Sequence, residues 1–317
     1  MKITILDRAS LGADLALDEL ASIGELVVYD STTSEELNER VKDTEVLILN
    51  KVKITNETLA NANLLKLICI TATGFDNVDV SAASARGIGV CNVPGYSTDS
   101  VALITLATTL SLLTHLPTYN RYVTSGAYTA SGVPNKLDPV YHEMRGLKWG
   151  IIGYGNIGRA VADVARALGA EIIVNKRTPI DGVKCVDIDT LCRESDIITI
   201  HCPLNDGTRN LINADKISMM KPGVIIVNEA RGAVVSDFDI TEAIESGRIG
   251  AFGSDVYTTE PLPSDNPFNR IMNYDNVLLT PHCAWGAYES RARCLSIVCE
   301  NIRAFSGGKV LNRVDKM

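Results

Sequence analysis

Short apolar runs alternate with helix-like stretches along the first hundred residues of the chain. Apolar and β-branched runs predict five strands, at 2–6, 26–29, 46–49, 67–70 and 88–91. Apolar positions at helical spacing predict helices between these strands, near 12–22, 34–42 and 80–86. Strands that alternate with helices pair in parallel, because each parallel connection has to cross the sheet. The first hundred residues therefore predict a parallel α/β unit.

The same alternation returns in the second half of the chain, after an interruption near residue 100. An apolar run from Val101 to Leu116 contains Thr, Ser and His and is shorter than the roughly 20 apolar residues of a membrane span, so we expect a buried helix. The stretch at 124–138 is rich in Gly, Pro, Asn and Tyr and predicts an irregular connector. Six further strands are predicted at 149–153, 171–175, 197–201, 223–228, 250–255 and 276–279, followed by a helix at 287–306. This second pattern is typical of a doubly wound sheet.

A glycine-rich turn opens the second alternating segment. Its glycines connect a predicted strand to a helix with one apolar face. Glycines at this spacing allow a tight turn, let a pyrophosphate approach the backbone, and let the helix pack closely on the strand. The strand, the turn, the helix and the next strand together predict a dinucleotide site. Its candidate residues are Gly153, Tyr154, Gly155, Asn156, Ile157 and Gly158.

Two cations follow the next predicted strand, at the place where an NAD site carries a carboxylate. They are Lys176 and Arg177. A carboxylate would repel the 2′-phosphate of NADP, whereas an arginine binds a phosphate through two parallel hydrogen bonds. We therefore expect NADP(H) to be favoured. NAD(H) is the alternative, with Asn175 or a later residue at the ribose and both cations as surface charges.

Predicted strand ends in the second segment also carry candidate groups for proton transfer. His282 follows the strand at 276–279 in a loop that Pro281 restrains, and Arg231 and Glu260 follow two other strands. A 2-keto acid that accepts a hydride needs such a set. The cation binds the acid and polarises its carbonyl group, the imidazolium donates a proton, and the carboxylate orients the imidazole. Each residue alone is an ordinary loop charge, and only their combination predicts an active site.

The other three histidines are weaker candidates. His115 falls within the apolar run, where a structural role is expected. His142 falls in the region of the connector and is expected to be exposed. His201 ends a predicted strand, so it is expected to line a cofactor crevice rather than to perform chemistry.

Composition limits the partners of the chain. With 317 residues, two domains are expected, and 46% hydrophobic and 21% charged residues are ordinary for a folded protein. The net charge of −8 argues against nucleic acid or membrane partners and favours a small molecule. Eight cysteines without a C-x-x-C pair, and a first apolar run too short for a signal peptide, predict reduced thiols and a cytoplasmic protein.

Several motifs in a fixed order resemble those of the D-isomer-specific 2-hydroxyacid dehydrogenases, over essentially the whole chain. The motifs are at 72–79, 153–158, 201–204 with Thr208, 228–232, 255–263 and 280–285. The resemblance implies two Rossmann-like or flavodoxin-like α/β domains with parallel sheets and a cleft between them. A substrate domain would comprise residues 1–98 and 285–317, and an NAD(P)-binding domain residues 99–284. It also implies a homodimer joined through the cofactor domain.

The resemblance further implies a role for individual residues. Arg231 would bind the substrate, His282 would act as acid and base, and Glu260 would be its partner. Backbone amides near Thr73 and Gly74 would hold the substrate carboxylate. The implied cofactor contacts outside the glycine turn include Asp255, at the nicotinamide carboxamide, with His201, Pro203, Thr208 and Ala230. No metal is implied.

Within the family, the blocks 72–74, 260–267 and 281–285 look most like those of glycerate dehydrogenases, also called hydroxypyruvate reductases. That likeness implies hydroxypyruvate and D-glycerate as the substrate pair, or glyoxylate and glycolate. Two residues depart from the family pattern. Lys176 replaces the usual acidic residue, and Glu229 stands where a small polar residue is commoner. If Glu229 faces the cleft, it would tune or repel an anionic substrate.

Other functions remain open at the level of sequence. A related reductase would act on a bulkier 2-keto acid. A different class is a dinucleotide-sensing protein like the transcriptional corepressors that share this fold. The presence of Arg231, Glu260 and His282 together argues against that class, although corepressors can keep this set.

Overall fold

The computed structural model describes residues 1–316 and separates the chain into two compact units. Unit 1 consists of Met1–Ser97 and of the chain from Gly286 onward, and unit 2 is Thr98–Trp285. Each junction lies one residue away from the predicted boundary. Each unit contains one parallel sheet with helices around it, which confirms the predicted fold class.

The sheet of unit 1 has five strands in the order β2-β1-β3-β4-β5, all parallel. This is the flavodoxin-like order. Its strands are β1 (Lys2–Ile5), β2 (Glu25–Val28), β3 (Val46–Leu49), β4 (Leu67–Ile70) and β5 (Gly89–Cys91). All residues of β3 and β4 are buried because helices cover both faces of a parallel sheet.

Four helices connect these strands: α1 (Asp18–Ala21), α2 (Ser34–Val41), α3 (Asn56–Ala60) and α4 (Val80–Ala85). The start of α2 has a clear local cause. The side chain of Thr33 accepts a hydrogen bond from the backbone of Glu36, whose carboxylate accepts one from the backbone of Thr33. The single helix predicted at 12–22 is wrong, because the chain forms a 3₁₀ turn at Arg8–Leu11 and only the short α1.

The sheet of unit 2 has six parallel strands in the order β11-β10-β9-β8-β6-β7. The order reverses around β6, the strand before the glycine turn, as in a doubly wound dinucleotide fold. The strands are β6 (Lys148–Ile152), β7 (Glu171–Asn175), β8 (Ile197–Ile200), β9 (Val224–Asn228), β10 (Ile249–Ser254) and β11 (Val277–Leu279).

Two groups of helices cover the two faces of this sheet. The helices of unit 2 are α5 (Thr98–Leu113), α6 (Leu116–Thr124), α7 (Ala127–Ser131), α8 (Asn156–Ala167), α9 (Ile188–Glu194), α10 (Ala214–Met219) and α11 (Asp237–Glu245), of which α6 and α7 have no buried residues. Helices α5 and α8 pack with Trp149, Ile151 and Val227 on one face. Helices α9, α10 and α11 pack against the other face. The closing helix α12 (Tyr288–Ser306) packs on β4 and belongs to unit 1.

The region between α5 and β6 differs from its prediction in two places. His115 does not lie in the apolar helix, because α5 ends at Leu113 and His115 has a left-handed backbone, with φ of 52°, just before α6. Local hydrogen bonding also keeps α6 and α7 helical, so the predicted connector is irregular only after Ser131. His142 is exposed, as predicted.

Within residues 1–316, no single helix has the length and apolar composition of a membrane span. One bent pair, α5 with α6, passes by length and composition taken together. The same residues contain no group of three or more His, Cys, Asp or Glu side chains able to hold a metal ion. All eight cysteines are free thiols.

The packing of α12 generates a stability prediction. Ile302 of α12 is completely buried, whereas Val310, just beyond the helix, is 69% exposed. Replacing Ile302 by Ala should destabilise the protein by about 2–5 kcal/mol, because buried contacts are lost and a cavity remains. Val310→Ala should change the free energy of unfolding by about 0.5 kcal/mol or less. Urea denaturation checks both, and equal effects of the two substitutions would contradict the packing described.

Candidate functional site

Three ionisable side chains lie side by side at the carboxyl edge of the unit 2 sheet. Ile200 of β8 pairs with Asn228 of β9, which pairs with Ser254 of β10. The residue that comes next after each of these paired residues is ionisable: His201 after β8, Glu229 after β9 and Asp255 after β10. Alternate residues of a strand share a face, so all three extend the face that α5 and α8 cover. Ligands of doubly wound sheets bind at this edge.

Asp255 fixes the loop that follows β11. Its Oδ1 accepts hydrogen bonds from Thr280 Oγ1 (2.6 Å) and from the backbone N–H of Cys283 (2.8 Å). Its Oδ2 accepts one from the backbone N–H of Ala284, also at 2.8 Å. The carboxylate is 1% exposed, and three donors offset the cost of burying its charge. A carboxyl group that only accepts hydrogen bonds is in its ionised form.

The loop held by Asp255 brings His282 next to Glu260. His282 Nδ1 lies 2.6 Å from Glu260 Oε2, and both side chains are partly exposed. Glu260 Oε1 accepts a hydrogen bond from the backbone N–H of Tyr257, which fixes the second oxygen. The backbone of His282 is left-handed, with φ of 51°, and its carbonyl accepts a hydrogen bond from the indole of Trp285. The structure thus pairs two of the predicted catalytic residues.

Arg231 lies in the loop after β9 and is half-buried. Its carbonyl accepts a hydrogen bond from the Asn228 side chain, and its Nη1 donates one to the carbonyl of Ala230. The following residue must be glycine, since a Cβ at Gly232 would lie 1.9 Å from the backbone of Tyr257. This close approach joins the loop of Arg231 to the segment that leads to Glu260.

Glu229 is the unexpected member of this edge. It is 7% exposed, and neither carboxyl oxygen has a hydrogen-bond partner within residues 1–316. Burial, and then the charge of Asp255, raise its pKa to about 9. The raised pKa makes the side chain a neutral acid at pH 7. A neutral acid carries no charge that would repel an anion, and a role of Glu229 in tuning substrate binding stays a prediction.

His201 is also neutral. Burial lowers its pKa to about 3, and neither ring nitrogen has a hydrogen-bond partner in the described part of the chain. It cannot donate a proton as an imidazolium near neutrality. That it lines a cofactor crevice stays a prediction.

The glycine turn has the geometry that a pyrophosphate needs. Gly153 has φ of 92°, and a Cβ there would lie 2.6 Å from the backbone of Cys202. A Cβ at Gly158 would lie 2.2 Å from the carbonyl oxygen of Gly153, so helix α8 packs tightly on the turn. No atom lies within 4 Å of a Cβ at Gly155, and no side chain caps α8. The first N–H groups of α8 can therefore bind an anion.

Lys176 and Arg177 follow β7, as predicted. Lys176 is half-buried and Arg177 is exposed, and within residues 1–316 neither forms an ion pair with a carboxylate. The Asn175 side chain donates a hydrogen bond to the carbonyl of Val186 at 3.0 Å, so one of its amide hydrogens is used in packing.

The remaining predicted residues lie in two places. In unit 2, Thr208 donates a hydrogen bond to the carbonyl of Pro203 at 2.7 Å and closes the loop after β8. In unit 1, Thr73 and Gly74 follow β4, where Thr73 Oγ1 donates a hydrogen bond to the carbonyl of Val93. Asn92 donates a hydrogen bond to the carbonyl of Thr73, so this loop is held in shape.

Sequence reasoning missed two features of the site. One is the set of hydrogen bonds that Asp255 makes to the loop of His282, and the other is the burial of Glu229 without partners. Ile225 and Val227 of β9 pack on the face that α5 and α8 cover. Alternate residues of a strand share a face, so Glu229, two residues after Val227, is placed on that covered face.

Comparisons with known proteins give a matching family model and relatives that align over the whole chain. Residues 106–284 match the sequence model of the D-isomer specific 2-hydroxyacid dehydrogenase, NAD binding domain. The chain is 35% identical to a hydroxypyruvate reductase of Blautia hydrogenotrophica, with all of both chains covered. It is 35% identical to a glycerate dehydrogenase of Methylorubrum extorquens, with 99% of each chain covered.

Solved structures also align with the chain over nearly its whole length. An acyclic imino acid reductase in complex with NADPH and D-Arg aligns with a TM-score of 0.86 and 29% identity, over 99% of this chain and 100% of that one. The D-lactate dehydrogenase of Aquifex aeolicus, complexed with NAD and lactic acid, aligns with a TM-score of 0.84 and 27% identity, over 97% and 96%. The resemblance read from the sequence is thereby confirmed.

The neutral state of Glu229 generates a prediction for stability. The pKa of Glu229 is raised from the ordinary 4.5 to about 9 in the folded protein. Its contribution to the free energy of unfolding is therefore fully present below pH 4.5 and is lost as the pH rises through 9. Glu229→Gln removes this loss, so the stability of the variant relative to the wild type should rise between pH 5 and pH 9. Urea denaturation at several pH values measures it. Replacing the exposed Glu143 by Gln should give no such trend. If the difference in stability between Glu229→Gln and the wild type does not change with pH, Glu229 is not a neutral acid in the folded protein.

Proposed function

We propose, because the chain belongs to the D-isomer-specific 2-hydroxyacid dehydrogenase family, that it reduces a small 2-keto acid with a nicotinamide cofactor. Hydroxypyruvate is the proposed substrate and D-glycerate the product, with glyoxylate as a second substrate. The observation that carries this proposal is the pair of His282 Nδ1 and Glu260 Oε2 at 2.6 Å, in a loop tied to the carboxyl edge of a dinucleotide-type sheet.

His282 is the proposed acid and base. Glu260 occupies Nδ1, so proton exchange with the substrate oxygen falls to Nε2 of the same ring. A nicotinamide cofactor held by the glycine turn would supply the hydride for C2 of the keto acid. His282 then provides the proton for the carbonyl oxygen, which becomes the hydroxyl group, and Glu260 keeps the ring in place.

Arg231 is the proposed anchor for the substrate. Its guanidinium group would bind the carboxylate and the carbonyl oxygen of the keto acid and stabilise the charge that develops on that oxygen. Asn228 and the glycine after Arg231 fix its backbone. The backbone amides near Thr73 and Gly74 are proposed to bind the substrate carboxylate.

The residues of unit 2 fit a nicotinamide dinucleotide. The turn at Gly155 and the uncapped start of α8 suit a pyrophosphate, and the buried, unpaired carboxyl of Glu229 lies at the edge where the rest of the ligand would bind. His201, Pro203, Thr208, Ala230 and Asp255 are the proposed contacts beyond the turn. Lys176 and Arg177 support a preference for NADP(H), because both are cations without a neighbouring carboxylate partner in residues 1–316.

A homodimer through unit 2 is part of the proposal. Large apolar side chains are exposed along α6 and the segment after α7, including Leu116, Val123, Val133 and Leu137. Exposed apolar groups that cluster in one region are typical of an association surface.

Substitution of His282 tests the proton-transfer role. His282→Ala should lower kcat with hydroxypyruvate by at least about a hundredfold, the usual scale for loss of a general acid. The variant should bind the cofactor as the wild type does, because the glycine turn is unchanged. His142→Ala is the matched control, since His142 is exposed and belongs to the segment before β6. Turnover within a few-fold of the wild type for His282→Ala would remove this residue from its role.

A substrate and cofactor panel tests specificity. We expect kcat/KM to be highest for hydroxypyruvate among hydroxypyruvate, glyoxylate, pyruvate and branched 2-keto acids, and higher with NADPH than with NADH. Lys176→Ala and Arg177→Ala should raise KM for NADPH and leave KM for NADH unchanged, because only NADPH carries the 2′-phosphate. A clear preference for NADH would contradict the assignment of these two cations. Tight dinucleotide binding without turnover of any 2-keto acid would instead favour a sensor.

A further inference from the structure

Glu229 combines three properties that an ordinary buried acid does not share. It is 93% buried, its two oxygens have no hydrogen-bond partner within residues 1–316, and it lies beside an ionised carboxylate. An unpaired buried carboxyl group costs stability. A bound ligand that forms hydrogen bonds with the Glu229 carboxyl group would offset that cost.

Of the two neighbouring carboxyl groups, Glu229 is the one that carries a proton. Asp255 accepts hydrogen bonds from one hydroxyl and two backbone N–H groups, whereas Glu229 has no donor to stabilise a charge. The charge of Asp255 acts on Glu229, and two charged carboxylates in a covered site would repel each other. The other ionisable groups around Glu229 do not change this. His201 is neutral, and burial raises the pKa of Tyr257 to about 12 and also raises the pKa of Cys283.

We propose that Glu229 is a further cofactor-binding residue, which keeps its proton and donates it as a hydrogen bond to the carboxamide of the nicotinamide ring. The inference rests on the proposed function, which places a nicotinamide ring beside Asp255. It adds a residue and a protonation state that the family resemblance does not imply.

The chemistry of the edge selects a neutral ligand group with both a donor and an acceptor. A protonated carboxyl has one O–H donor and one carbonyl acceptor, and a primary carboxamide has the complementary pair. Asp255 accepts three hydrogen bonds of the roughly four that a carboxylate can accept, which leaves Oδ2 able to take one N–H of the same carboxamide. The charge of Asp255 disfavours an anion here, so the carboxylate of the substrate is a poorer partner for Glu229.

The test measures binding rather than turnover. Isothermal titration calorimetry gives Kd between pH 7 and pH 10 for NADPH, or for NADH if that binds more tightly. The matching ADP-ribose fragment, which lacks the nicotinamide ring, is titrated in parallel. The proteins are the wild type, Glu229→Gln, which keeps a donor and an acceptor but does not titrate, and Glu229→Leu, which keeps approximate size and has neither.

The inference makes three linked expectations. Wild-type affinity for the intact cofactor should fall about tenfold between pH 8 and pH 10, because Glu229 loses its proton over this range. Glu229→Gln should bind within about threefold of the wild type at pH 7 and should lack that fall. Glu229→Leu should bind the intact cofactor about tenfold more weakly at pH 7, the usual effect of one lost hydrogen bond, and should bind the fragment normally.

The outcomes are separable. Identical pH profiles of the wild type and Glu229→Gln for the intact cofactor would overturn the inference while leaving the proposed function intact. A fall of equal size for the fragment would also overturn it, because the fragment has no carboxamide. Failure of the wild type to bind either dinucleotide would overturn the proposed function, and the inference with it. If Glu229→Leu does not fold, the profile of Glu229→Gln alone decides.

Discussion

The candidate site depends on one buried carboxylate. Asp255 holds Thr280 and the backbone N–H groups of Cys283 and Ala284 with both of its oxygens, and it thereby fixes the chain on either side of His282. Without that anchor, a left-handed histidine after a proline would have several loop conformations available. With it, the imidazole meets Glu260 at 2.6 Å. Burial raises the pKa of the neighbouring Glu229, and the negative charge of Asp255 raises it further. A single side chain thus organises the proposed proton donor and also sets the electrostatics of the proposed nicotinamide site.

Much of this arrangement could be predicted from the sequence, for reasons that lie in the parallel sheets. Strands buried on both faces are continuous apolar runs, so β3, β4 and β8 are visible without any structure. Because all strands of such a sheet run the same way, residues that follow them gather at one edge. Arg231, Glu260 and His282 could therefore be grouped although they are far apart in the chain. The glycine turn can also be recognised from the sequence, because close backbone approaches at Gly153 and Gly158 exclude any side chain.

Other features depend on facts that the sequence pattern does not contain. The helix predicted at 12–22 fails because α1 is short and no side chain caps its start. His115 lies in a break between two helices. The uncharged run from Val101 to Leu116 gives no sign of this break. The residue type of Glu229 predicts a charged side chain. Its neutral state follows from its burial on the covered face of β9, beside Asp255. Burial and protonation are properties of the assembled edge, so residue type alone gives the wrong state.

The handedness of the product tests the central claim most directly. The purified protein would reduce hydroxypyruvate with NADPH to completion, and chiral chromatography would separate the two enantiomers of glycerate. In the proposed mechanism Arg231 binds the keto acid and His282 lies on one side of it, so that only one face of the carbonyl group would receive the hydride. The account predicts D-glycerate alone. The L enantiomer, a mixture of both, or no product from any small 2-keto acid would contradict it.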